Sequence, residues 1–169
     1  APDWLPEFQH IWRGAHRALF DCQVPIIGAM ERYAINGGAA LALACDLLIV
    51  GRESFLQVGE VQIGMAAPYN MAWLALRHPE PVAARLAMVG RRHDGESLLN
   101  LGVAYDCVAD GDVLTTATDL ASAMSDYPTG GSRKIKAGAR AALDQSADDR
   151  FDRYTAVQPV GVPAPSKVT

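Results

Sequence analysis

Ile35-Asn36-Gly37-Gly38-Ala39-Ala40-Leu41-Ala42-Leu43-Ala44-Cys45-Asp46 is the stretch whose reading decides the fold. Tyr33 to Gly38 is a turn signal. Glycines let a backbone approach a ligand closely and tolerate positive φ. Asn enters the left-handed region more readily than most residues. Ala39 to Cys45 is apolar all round, the pattern of a helix buried on every side. The N–H groups at a helix start have no intrahelical partner, and the helix dipole adds partial positive charge there. The junction therefore suits a developing negative charge. On the local sequence alone, a Gly-Gly pair serves equally well to let a strand pack tightly on a helix.

Working outward, Pro25 to Met30 reads as a strand, and Leu47-Leu48-Ile49-Val50 lacks alternation, which suits a strand buried on both faces. Phe55 to Val58 is a second short strand. Towards the N-terminus, Leu5, Phe8, Ile11, Trp12, Ala15 and Leu19 recur at three- and four-residue spacing, predicting a helix over Trp4–Phe20 capped by Asp3. From Pro68 the chain turns helical: Pro68–Arg77, Glu80–Gly90 and Asp94–Leu101, separated by prolines and glycines. Val103–Val108 reads as a last strand. Asp112–Tyr127 and Arg133–Leu143 read as amphipathic helices, and Val157 to Thr169 as a loose, proline-rich tail. Strands alternating with helices imply α/β layering.

The 169 residues fit one domain. With 50% hydrophobic and 20% charged residues, the composition points to a folded chain rather than a disordered one. Apolar content is at the upper end, which suggests surface reserved for a partner such as a second copy. A net charge of -4 without a basic stripe argues against nucleic acid as a ligand. No apolar run of about 18 residues predicts a membrane span. Cys22, Cys45 and Cys107 form no CxxC pair or zinc-spaced cluster, so reduced thiols in a cytoplasmic setting are expected. The chain opens Ala1-Pro2-Asp3, without an initiator Met, as the middle of a loop in a longer protein would.

Pro25 to Met30, Tyr33 to Gly38 and Leu41 to Ile49 together resemble the signature of the enoyl-CoA hydratase/isomerase (crotonase) family. The resemblance continues through Glu60-Val61-Gln62-Ile63-Gly64 and Pro68, and more weakly through Gly90-Arg91 and Gly102-Val103-Ala104, so it covers most of Cys22 to Val108. It implies an α/β crotonase-like (ClpP/crotonase) fold lacking its N-terminal strands. The expected organisation is residues 1–110 as the C-terminal part of the core, 111–156 as a helical oligomerisation region and 157–169 as a loose tail.

The resemblance also implies site residues. The glycine that donates a backbone N–H to the thioester oxygen matches Gly37. Family hydratases use two glutamates to hold a water. The first would stand where this chain has Ala40, which cannot act as a base; the second matches Glu60. Isomerases of the family can work with that second glutamate alone, one base removing and returning a proton while the oxyanion hole holds the enolate. Two departures stand out: Arg32 and Asn36 replace glycines, and Tyr69-Asn70-Met71 replaces a small Gly-rich turn after Pro68.

Among other candidates, Glu31 is a rival acid, though its neighbour Arg32 points to an ion pair. A solvated loop carboxylate is the plain alternative for Glu60. Asp46 ends a helix, where the dipole disfavours an anion, and so needs hydrogen-bond partners; the resemblance makes it structural. His10 and His16 read as helix-surface residues, and His78 and His93 as residues of polar loops. Arg133, Lys134 and Lys136 read as a solvated helix face, or, by the resemblance, as contacts to a coenzyme A phosphate.

The expected function is acyl-CoA processing by single-base proton transfer through a thioester enolate, isomerase-like, with Glu60 and Gly37 as the working pair. A hydratase and a catalytically silent homologue acting as a binding or assembly subunit are the alternatives. A coenzyme A thioester is the expected substrate, with no covalently bound cofactor and no metal. A homotrimer or hexamer is the expected assembly, without nucleic acid or membrane partners.

Overall fold

A computed structural model describes residues 3–128, 130–143 and 145–157. The chain runs through helix α1 (Leu5–Asp21), strands β1 (Ile27–Met30) and β2 (Tyr33–Ile35), helix α2 (Gly37–Ala44), and strands β3 (Leu47–Gly51) and β4 (Phe55–Gln57). A 3-10 turn over Glu60–Ile63 follows, then α3 (Pro68–Arg77), α4 (Glu80–Ala87), β5 (Arg92–Asp94), α5 (Gly95–Asn100) and β6 (Asp106–Val108). The helices α6 (Val113–Ser125), α7 (Gly131–Arg140) and α8 (Ala147–Ala156) complete it.

Two three-stranded sheets organise these elements. The first is parallel throughout, in the order β1-β3-β6, with Ile27 opposite Leu47 and Ile49 opposite Asp106. The second has the order β2-β4-β5, its first pair parallel and its second antiparallel. The central strand β3 shows why its sequence does not alternate. Leu48 and Val50 enter the main core with α2 and α3, while Ile49 packs on Val113 and Ala117 of α6 on the other face. Both faces are covered, so both sets of side chains are apolar.

Several expectations change here. Tyr33–Ile35 is a strand rather than part of the turn, because it pairs with Phe55–Gln57. Arg92–Asp94 is a strand where the sequence suggested a polar loop running into a helix at Asp94, because it closes the edge of β4. The cap position of α1 is Trp4, with no side-chain cap, so Asp3 does not serve there. α2 is not buried on every side, since Leu41 is 41% exposed while Ala39, Ala40, Leu43 and Ala44 are buried. Only part of the apolar stripe of α1 faces inward; Phe8 and Ile11 are exposed.

α8 falls inside the region expected to be helical, 111–156, but was not among the individual helices read from the sequence. Ser146 and Asp149 form a reciprocal capping box at its start, a sequence-readable signal. α8 packs on α1 and α3, and Phe151 closes over the His16 ring, centroids 5.7 Å apart. That docking makes His16 a core residue, fully buried, rather than a surface one. His93 is likewise buried, inside β5. The loose tail read over 157–169 lies outside the described residues except for Val157.

Candidate active site

The turn into α2 is held in an unusual backbone conformation. Asn36 has φ 50° and ψ −108°, a region sparsely populated by side-chain-bearing residues and costing on the order of 1–3 kcal/mol. Its carbonyl accepts the first bond of α2, from the Ala40 N–H (3.0 Å), and three further hydrogen bonds hold it there. Its N–H donates to the Gln57 carbonyl (2.9 Å), the Gly59 N–H donates to its Oδ1 (2.8 Å), and the Asn70 Nδ2 donates to its carbonyl (3.1 Å).

Gly37 and Gly38 are the first residues of α2, and among the described residues their N–H groups have no acceptor. The tight-packing reading of this pair finds no support. A Cβ at Gly38 would meet nothing within 4 Å, and one at Gly37 would meet only the Trp12 ring edge, at ordinary contact distance (3.4 Å). Gly28 is the contrasting case, where a Cβ would sit 2.7 Å from the Cys45 Sγ. The glycine pair thus opens space at a positive helix terminus, walled on one side by an indole.

Glu60 opens the 3-10 turn after β4 and is 9% exposed. The same Asn70 amide that reaches the Asn36 carbonyl also donates to the Glu60 Oε1, at 2.8 Å. The Oε2 is buried without a partner among the described residues. Burial pushes the Glu60 carboxyl above the ordinary carboxylate range, opposed by its own backbone N–H and by Asn70. The solvated-loop reading of Glu60 therefore fails. One carboxamide links the residue before Gly37 to the carboxyl of Glu60, and so joins the two predicted site residues. Ala40, where a second glutamate would stand, is buried and bears no polar group.

Asp46 sits at the far end of α2. It exchanges two hydrogen bonds with Ile26, both 2.8 Å. It also pairs with Lys136 (2.6 Å), Arg77 (3.1 Å) and Arg140 (3.7 Å). Burial raises its carboxyl, but the Lys136 ammonium, the Ile26 N–H and the Arg77 charge outweigh that and hold it below the usual range. Lys136 is accordingly not on a solvated face: it is buried and donates as well to the Val24 carbonyl (2.8 Å). Glu31 is exposed and makes no ion pair with Arg32 among the described residues. A cleft of about 1100 Å³ opens beside Asp46, between α2, β3, α6 and α7, away from Gly37 and Glu60.

Among the described residues, no group of three His, Cys, Asp or Glu side chains is placed to hold a metal. Nor is any helix long and apolar enough to cross a membrane.

The sequence profile of the enoyl-CoA hydratase/isomerase family matches residues 6–157. The chain belongs to that family. The carnitinyl-CoA dehydratase of Proteus mirabilis (strain HI4320) is 28% identical over 134 residues, covering 79% of this chain and 51% of that protein. The chain spans about half the length of the curated relatives it matches. Two solved structures share the fold. An enoyl-CoA hydratase from Mycobacterium marinum superposes with a TM-score of 0.78 at 24% identity, covering 89% of this chain and 68% of that one. The Mtb enoyl-CoA isomerase gives 0.78 at 20% identity, covering 90% and 68%. The architecture is the crotonase-like α/β fold with a helical C-terminal region, and this fold carries both hydratase and isomerase members.

Proposed function

We propose that this chain carries the proton-transfer half of an acyl-CoA-processing site. The Gly37 N–H donates to the thioester oxygen, and Glu60 moves a proton at the neighbouring carbon through an enolate. A buried carboxyl with one oxygen unpartnered among the described residues, tied through Asn70 to the residue before Gly37, is the observation that carries this reading. Partial burial suits the task, because a base works best with a pKa near the working pH. The free N–H groups at the start of α2 suit an oxyanion, since preorganised donors stabilise charge as it develops.

Single-base, isomerase-like chemistry is favoured because Ala40 leaves α2 without an acid to orient water. A second reading is dehydration or hydration, supported by the relatives named carnitinyl-CoA dehydratase. The substrate in either case is a coenzyme A thioester. Region 111–156 is proposed to support self-association into trimers or paired trimers, with the exposed Leu114, Tyr127 and Ile135 as contact residues.

The test is deuterium incorporation from heavy water into a bound acyl-CoA by the full-length protein. Glu60→Gln keeps the shape and removes the base, so exchange at the carbon next to the thioester should be lost while binding persists. Exchange by the variant as fast as by the parent removes Glu60 as the base. No exchange by the parent with any acyl-CoA supports a silent homologue.

A further inference from the structure

Asn70 lies on the first turn of α3 and is 1% exposed. The side-chain amide orientation is fixed by its partners: both atoms within reach of Nδ2, the Glu60 Oε1 and the Asn36 carbonyl, are acceptors. Its Oδ1 is buried with no partner among the described residues. A buried carboxamide that leaves an acceptor unpaired carries a cost on the order of 1–3 kcal/mol. Asn36 completes the link on the other side, its Oδ1 accepting from Gly59, the residue before Glu60.

We infer that Asn70 is a positioning residue for Glu60: its carboxamide ties the Glu60 carboxyl to the Asn36 carbonyl, so the base and the Gly37 N–H keep one geometry. The inference rests on the reading of Glu60 as the base. Asn36 and Asn70 are two of the places where the sequence departs from the family pattern, and the structure joins them to each other. A glycine at either position would have no side chain to make these bonds.

Among the described residues, Asn70 is the one side chain that donates to the carboxyl, beside the backbone N–H of Glu60 itself. Among the described residues no cation pairs with Glu60. On α3, the Tyr69 ring stacks on His16, and Arg77 is engaged by Asp46. Neither β2, β4 nor α2 bears a charged side chain. On β5, His93 is buried opposite Leu56 with its Nδ1 near the Ser97 hydroxyl, and Arg92 lies over the Phe55 ring. A donor to the ionised carboxylate favours the ionised form, so removing it leaves desolvation unopposed except by the backbone.

The experiment titrates Glu60 directly by carbon NMR of the full-length protein labelled in glutamate carboxyls. Glu60→Gln identifies the resonance by deleting it. Asn70→Asp keeps the shape and replaces the donor by an acid; Asn70→Ser is the second variant, shorter and uncharged. In Asn70→Ser, the Glu60 midpoint should rise by about one pH unit, the size of losing one hydrogen bond to a charged group. In Asn70→Asp it should rise further, because two acids then compete for one place. In both, the proton-exchange rate should fall with acyl-CoA affinity little changed. Folded variants whose Glu60 midpoint matches the parent overturn the inference. A shifted midpoint together with undiminished exchange by Glu60→Gln leaves the tie intact and removes the reading of Glu60 as the base, so the two failures are distinct.

Discussion

His16 should make the protein acid-sensitive between pH 6.5 and 4. The residue is fully buried between Trp12, Tyr69, Trp73 and Phe151. The Trp73 indole N–H donates to its Nδ1 at 2.9 Å. That bond requires the Nδ1 lone pair, so the neutral ring carries its proton on Nε2. Adding a second proton places a charge in an aromatic core and sets two N–H groups against each other. Burial accordingly lowers its pKa from 6.5 to about 4. The unfolded chain binds a proton at pH values where the folded one does not, so stability rises with pH across this window. It is fully present above about 6.5 and lost progressively as the pH falls to about 4. At about 1.4 kcal/mol per unit, the loss is on the order of 3 kcal/mol, a sizeable part of a typical domain's stability.

The assay is urea unfolding of the full-length protein, followed by tryptophan fluorescence, at intervals from pH 7 to 4. Other groups titrate in the same range. Burial lowers His78 and His93, which adds loss of the same sign. Glu60, raised by burial, contributes in the opposite sense, since its folded form holds its proton to higher pH. The comparison is therefore with His16→Gln, which keeps an acceptor for Trp73 and does not titrate. The parent should lose about 3 kcal/mol more than the variant between pH 6.5 and 4. Parallel stability curves for the two would refute the assignment of a neutral, indole-bonded imidazole.

Asp46→Asn should destabilise by about 3 kcal/mol, the cost of stripping the counter-charge from the buried Lys136 and the partly buried Arg77 and Arg140; a fall in the urea midpoint at unchanged slope checks it. Asn36→Ala removes the bond from Gly59 and leaves an ordinary side chain at φ 50°, so a loss of about 1–3 kcal/mol is expected in the same measurement. Hydration of crotonyl-CoA by the full-length protein should be slow. Turnover on the order of 10 per second in a spectrophotometric assay would contradict the single-base reading. Light scattering at micromolar concentration should report an oligomer, and a monomer would remove the proposed role of region 111–156.

The layered α/β class and the β1 and β3 strands were legible because they rest on local chemistry; the role proposed for Gly37 rests on the family resemblance. Unbroken apolar runs mark covered strands, and a glycine-rich turn before an apolar segment marks a helix start. The role proposed for Glu60 rests likewise on the resemblance, through its spacing from Asp46 in the family pattern. What the sequence left open depends on distant neighbours. His16 looked like a surface residue because its own helix leaves it beside polar positions; α8, more than 120 residues on, covers it. Lys136 looked solvated because its partner Asp46 is 90 residues away. Asn70 looked like a mere departure from a pattern, yet folding brings it within hydrogen-bond reach of both Asn36 and Glu60. Local propensity and periodicity report on a residue's chain neighbours. Burial and ion pairing are set by which surfaces meet, and for His16, Lys136 and Asn70 only the tertiary structure decided that.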